Sequence, residues 1–242
     1  MAGAGEPSAG RSLFGGAATA LVPLRFADVS DIREVPDHQE VWADLAADCS
    51  LLLELVEPPA ALAAAGPEPP AAFFWRDLAE AGGATSQSLL LSIGGVDPAA
   101  HAPALLASAE RWRLAHPGTV PGSVGAELLS VSLAAGVQSL SKERGRDPRE
   151  VLVLLAACRL PGVATDLLIV VNEPVAEAQL QTGDGGASAR ALAGAGLEWA
   201  TGMPPAAVAV AAGHGGSSSS RPGDVLRRAL ATVAVLDWGL FG

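Results

Sequence analysis

The chain has 242 residues, half of them hydrophobic, with 28 glycines and 18 prolines. It can bury a sizeable core, but alanine dominates the apolar count, so composition predicts one folded domain interrupted by Ala/Gly/Pro-rich insertions. Acidic residues outnumber basic ones 26 to 15, for a net charge of -11, which disfavours nucleic acid and anionic lipid and favours a basic protein partner.

Residues 1–10 have neither a basic-then-apolar leader nor the Arg- and Ser-rich character of a transit peptide, and 1–12 read as a disordered tail ahead of a single domain over 13–242. Residues 15–23 read as a first strand that opens on glycines and stops at Pro23. The polar stretch 26–33 is too short for a stable helix, and Val35-Pro36-Asp37 is a turn, because Pro36 excludes the helical basin at Val35. A second strand follows over 39–44. In 48–57, Asp48 and Ser50 supply helix caps while Leu51, Leu52, Leu55 and Val56 fall at helical spacing, so the segment reads as a short amphipathic helix, with a strand as the alternative. Pro58 and Pro59 end it and open an insertion over 58–72. Phe73, Phe74, Asp77 and Leu78 then predict a helix ended by Gly82 and Gly83, and 88–96 a third strand.

A helical stretch over 104–115 lies within a second insertion, 97–124, and 127–142 reads as a fourth strand in which Gly136 marks a bulge or bend. Two Val/Ile/Leu-rich runs, 150–160 and 165–171, joined by Pro-Gly-Val-Ala, predict an antiparallel hairpin. The third insertion, 176–221, reads as a long mobile loop with a transient helix near 187–199. Residues 224–235 form an amphipathic helix, with Val225, Leu226, Ala229, Leu230 and Val233 opposite Arg227 and Arg228. Trp238 and Phe241 are expected to be buried against the sheet rather than to form a docking motif. The fold class is therefore α+β, an antiparallel sheet of about six strands with helices on both faces, an α/β/α sandwich of unreadable strand order.

Little covalent chemistry is indicated. Cys49 and Cys158, each in an apolar stretch, read as two buried thiols, and the histidines at 38, 101, 116 and 214 lack zinc-ligand spacing. The glycine-rich stretches 183–186 and 213–216 lack the Gly-Lys-Ser/Thr of a phosphate-binding loop, so no metal and no cofactor is expected. The longest apolar runs, 151–158 and 167–171, are far shorter than the ~18 to 20 residues a membrane helix needs. Asp28, Asp31, Glu34, Asp37 and Glu40 form an acidic cluster around the Pro36 turn, suited to basic groups on a partner. Arg33 either pairs within this cluster or reaches the partner. Asp37, His38 and Glu40 point to alternate faces of an extended segment with no nucleophile motif beside them, which argues against an enzyme.

Specific blocks sharpen this reading. Leu-Phe-Gly-Gly-Ala at 13–17 is followed by Phe26-x-Asp28-Val-Ser-Asp-x-Arg33-x-Val-Pro36-Asp37-His-Gln39-Glu40-Val41, and then by Asp-x-Ser-Leu-Leu-Leu-Glu-Leu-Val-Glu at 48–57. Arg159-Leu160, Thr165-Asp166-Leu-Leu-Ile-Val-Val-Asn172-x-Pro174 and the terminal Asp237-Trp-Gly-Leu-Phe241 complete the series. In this order the blocks resemble the Ran guanine nucleotide release factors, the Mog family, while the three insertions are longer than the family pattern. The resemblance implies the sandwich fold shared with PsbP, binding to the GTPase Ran, promotion of guanine nucleotide release and a role in nuclear protein import. Asp37 and Glu40 match the family's acidic contact pair, and Lys142 resembles a family lysine near a strand end. A monomer of 24.2 kDa, in nucleus and cytoplasm, is the expectation. An adaptor or trafficking factor on the same fold is the alternative; the missing transit peptide and the Pro-Asp-x-Gln-Glu block argue against a photosystem subunit.

Overall fold

Alternation of apolar residues along the Val/Leu/Ile-rich runs makes each run a strand with two usable faces, and the chain uses both. The computed structural model describes residues 6–60, 62, 68–83, 88–117, 128–140, 149–175 and 222–241. These residues form β1 (Ser8–Leu13), β2 (Ala18–Pro23), β3 (Ala27–Asp28), β4 (Gln39–Asp44) and β5 (Cys49–Val56), then helix α1 (Pro70–Ala81) and β6 (Ser88–Val96). After one helical turn, Pro98–His101, come α2 (Pro103–Ala115), β7 (Ser130–Leu140), β8 (Arg149–Leu160), β9 (Thr165–Pro174), α3 (Pro222–Thr232) and β10 (Ala234–Val235). Seven strands make one antiparallel sheet in the order β3-β4-β5-β9-β8-β7-β6, and β1-β2-β10 make a second.

In the central strands, Leu152, Leu154, Ala156 and Cys158 of β8, with Leu167, Ile169 and Val171 of β9, face one layer formed by the three-stranded sheet, α2 and α3. Val153, Leu155 and Ala157, with Leu168 and Val170, face the opposite layer, where Ala71, Phe74 and Trp75 of α1 pack. Helices therefore cover both faces, and each fully buried Leu or Ile contributes about 1.5–3 kcal/mol. Polar groups tie α1 down: the Ala71 N–H donates to Ser132 Oγ at 3.0 Å, and Gln138 Nε2 donates to the Trp75 carbonyl at 3.1 Å. Both cysteines are free and buried, with burial pushing each thiol up to about 12.

The 150–160/165–171 hairpin, the 88–96 strand and the helices expected around Phe73–Leu78 and over 104–115 occur as expected. The helix expected over 224–235 ends at Thr232, with Ala234–Val235 in β10. The strand count and three further local readings change. The described residues form ten strands in two sheets, not about six in one. Residues 49–56 are a strand, not a helix: Leu51 and Leu53 are fully buried, and the segment lies between β4 and β9 with neighbours on both edges. An eight-residue segment with four leucines satisfies helical and strand spacing alike, and long-range pairing decides. Asp48 is accordingly no helix cap, but takes a left-handed position (φ 53°) at the end of the β4–β5 turn. Residues 8–12, expected in a disordered tail, form β1; its polar sequence is ordered by pairing with β2 and by Arg228 of α3, which donates to the Glu6 carbonyl at 2.6 Å and to Ser8 Oγ.

Gly136 does mark an irregularity, but on its neighbour: the β6–β7 register shifts between Leu90 and Ser92. A Cβ on Gly136 would lie 2.4 Å from the Leu89 carbonyl oxygen and 2.5 Å from a Trp75 ring carbon, so only a bare Cα admits the close approach of strand and indole. Gly136→Val should lower stability by about 1–3 kcal/mol through this overpacking, measured by urea denaturation; an unchanged midpoint would refute the close approach.

Candidate functional site

The Pro36 turn sits at one edge of the seven-stranded sheet, where β3 is only two residues long and leads directly into the acidic loop. Asp28 caps the loop's first turn, accepting from the Ser30 N–H at 2.8 Å and the Ser30 hydroxyl at 2.7 Å. A single 3-10 turn, Val29–Asp31, follows, closed by Val29 accepting from the N–H groups of Ile32 and Arg33. The Pro36 carbonyl accepts the Gln39 N–H at 2.8 Å, which holds Asp37 and His38 at the corners of a turn, and the His38 carbonyl accepts the Leu55 N–H of β5 at 2.9 Å. Asp31, Ile32, Arg33, Glu34, Asp37 and His38 are exposed. The loop is thus anchored at both ends by backbone bonds while its charged side chains face solvent.

Of the residues singled out in the sequence, Asp28, Asp31, Arg33, Glu34 and Asp37 share this loop. Arg33 makes no ion pair among the described residues, so of its two readings the intramolecular one finds no support. Lys142 lies outside the described residues. Glu40 differs most from expectation: it is half-buried, and its Oε1 accepts the backbone N–H of Phe14, 26 residues earlier. Burial raises the Glu40 carboxyl above the usual glutamate value and the Asp28 charge adds to the shift, against the pull of the Phe14 N–H.

The reason lies in the pleat. Glu40, Trp42 and Asp44 alternate onto the face of β4 that meets the three-stranded sheet, and each fastens part of the β1–β2 hairpin. Trp42 lies under the Arg11 guanidinium, 5.1 Å from ring centroid to Cζ. Asp44, buried, accepts from Arg25 just beyond β2 and from the N–H groups of Ala46 and Ala47; Arg25 also reaches Glu6 at 2.6 Å. Sequence reasoning missed Phe14, Arg25, Trp42 and Asp44 as neighbours of the loop. The available signal was the two-residue spacing of Glu40, Trp42 and Asp44; of their partners Phe14, Arg11 and Arg25, only Arg11 lies in the segment read as a tail.

This architecture is an antiparallel sandwich with an acidic loop fixed at one sheet edge, a surface of the class suited to basic groups on a protein partner. A family model described as "Ran-interacting Mog1 protein" matches residues 11–174. Curated relatives named Ran guanine nucleotide release factor include that of Bos taurus, 31% identical over 174 residues, covering 71% of this chain and 79% of the relative. The Homo sapiens protein is 31% identical over 171 residues, covering 70% of this chain and 77% of its own length. Among solved structures, the Saccharomyces cerevisiae Ran-binding protein Mog1p shares the fold at a TM-score of 0.55, with 20% identity and coverage of 98% of this chain and 100% of that one. The chain belongs to the Ran-interacting Mog1 family.

The Asp44 tie carries a pH signature. Burial alone would raise its carboxyl, but the hydrogen bond and charge of Arg25, with the two N–H donors, outweigh this and hold it below the ordinary aspartate value. As pH falls, the unfolded chain takes up the proton first. Asp44 therefore contributes stability that is full above the ordinary value of 3.8 and is lost as pH falls through the lowered folded value. Asp44→Asn should cost about 1–3 kcal/mol at neutral pH and shrink the loss of melting temperature on acidification; equal acid slopes for mutant and wild type would refute the tie.

Proposed function

We propose that this chain binds the small GTPase Ran through the acidic loop and promotes release of its guanine nucleotide, without covalent chemistry of its own. Membership of the Ran-interacting Mog1 family, whose match spans the whole loop, carries the reading. The names of the curated relatives support the release activity, and the exposed carboxylates of Asp31, Glu34 and Asp37 supply complementarity to basic groups around a nucleotide site. Asp28 and Arg33 complete the proposed contact surface, Glu40 stands behind it, and Lys142 is proposed on the resemblance alone. The protein acts as a monomer, in nucleus and cytoplasm, in support of nuclear protein import.

The mechanism is a population shift. A loop that binds the open form of the GTPase better than the nucleotide-loaded form moves the equilibrium toward release, and each tenfold loss of nucleotide affinity requires ~1.4 kcal/mol of differential binding. One or two charge-assisted contacts supply that amount. Asp37 is the residue to test, because it is exposed at a backbone-held turn. Asp37→Lys should weaken the Ran complex by about tenfold or more and abolish acceleration of fluorescent nucleotide release from purified Ran, with an unchanged melting temperature. Binding without acceleration by the wild type would instead make the protein an adaptor on this fold, and unimpaired release with Asp37→Lys would move the contact elsewhere.

A further inference from the structure

We infer that Glu40 serves partner binding as a positioning residue, acting through the Phe14–Gly16 turn, and that the bare backbone of Gly15 and Gly16 is part of the partner-facing surface beside the acidic loop. The inference rests on the Ran-binding reading and deepens it.

Three observations carry it. Glu40 stands opposite Leu53, which is fully buried on the face of the large sheet that packs on the small one, so its side chain leaves β4 toward the small sheet. There its Oε1 accepts the Phe14 N–H, and a carboxylate engaged this way has one oxygen committed inside the fold. Secondly, Phe14, Gly15 and Gly16 are successive residues in the left-handed region, with φ of 51°, 65° and 101°. A phenylalanine adopts that conformation only where its surroundings hold it; here the ring is buried in the core and the N–H is held by Glu40.

Thirdly, the turn is open on its outer side. Gly15 and Gly16 are exposed, and a Cβ on Gly15 would meet nothing within 4 Å. Packing therefore does not demand glycine at 15; the left-handed backbone does, and it leaves peptide groups uncovered. Glu40 follows the Pro36–Gln39 turn directly in the chain and holds the Phe14 N–H, so one residue links two exposed elements, the acidic loop and the glycine turn. Such a link lowers the conformational freedom that both must lose when a partner docks across them.

The experiment uses the full chain with Glu40→Ala, Glu40→Gln and Gly15→Asn variants. Each is read by the Phe14 amide resonance in a 15N correlation spectrum, by thermal melting and by Ran affinity. Glutamine keeps an acceptor oxygen and loses the charge, and asparagine tolerates a left-handed backbone while adding a side chain outward. Glu40→Ala should shift the Phe14 amide and weaken Ran binding by about tenfold or more. Glu40→Gln should restore the resonance and bring affinity back to within about threefold of wild type. Gly15→Asn should weaken binding while the Phe14 resonance stays in place. A Glu40→Gln protein that keeps the Phe14 resonance but binds as poorly as Glu40→Ala overturns the inference, because the charge itself is then the contact. A Phe14 amide unmoved by Glu40→Ala overturns it whatever the affinity, and unimpaired binding by Gly15→Asn removes the turn from the surface. A wild type with the Phe14 resonance shifted by Glu40→Ala but no affinity for Ran refutes the Ran reading, and the role in binding with it, while leaving the hydrogen bond established.

Discussion

The inward face of β4 is the constraint on which the rest of the molecule depends. Three alternate residues, Glu40, Trp42 and Asp44, hold a backbone N–H, a guanidinium face and a guanidinium edge that all belong to the β1–β2 hairpin or its flanks. None of these contacts is strong alone, since a net hydrogen bond contributes about 0.5–1.5 kcal/mol and a charged one about 1.5–3. Together they fix the small sheet in one translation and one rotation over the large one. Apolar packing supplies the attraction there, through Leu13, Ala20 and Val22, but apolar contact is non-directional and tolerates sliding. Directional groups at a two-residue period remove that freedom.

A second polar device works in the central strands of the large sheet. Arg159 and Asp166 stand opposite each other on β8 and β9 and make a bidentate pair at 2.9 and 2.7 Å, with Asp166 fully buried. A buried pair of this kind brings little net stability against apolar residues of similar volume, yet removal of one partner leaves an uncompensated charge. Its effect is on register. In strands as uniformly apolar as β8 and β9, a slip of one residue would exchange the two faces without exposing many polar groups, and the pair makes that slip costly. Sandwiches buried on both faces gain most from such markers, because alternation of polar and apolar residues no longer reports which face is which.

The sequence was most legible where local and long-range preferences agree. The β8–β9 hairpin has β-branched and leucine-rich runs around a Pro-Gly turn, and α3 has an apolar stripe opposite Arg227 and Arg228; both stand as expected. Legibility failed where only the partner decides. Leu51–Val56 carries no residue that forbids a helix, and its strand state comes from β4 and β9 on either side. Ser8–Leu13 has almost nothing apolar to alternate, and is a strand because β2 and Arg228 satisfy it. The acidic loop was legible as a turn from Pro36, and its exposed carboxylates stand where the turn predicts. Glu40 was not, because its partner is a backbone N–H, a group every residue but proline carries and no sequence pattern can mark.

That asymmetry bears on how an acidic loop can be selective. Carboxylates on a freely moving segment attract any basic surface, and the entropy of ordering them offsets much of the Coulomb gain. Here the first turn is capped by Asp28, the last is closed by Pro36 and Gln39, and β4 behind it is fastened to the small sheet. The loop's charges are therefore presented at fixed spacing, so a partner whose basic groups match that spacing binds at little ordering cost, while one with the same net charge in another arrangement does not. Under the proposed reading, the two forms of a nucleotide-binding partner differ both in the phosphate charge at the site and in the arrangement of basic groups around it. A rigid acidic template reads that arrangement, where a flexible one of equal charge reads charge alone.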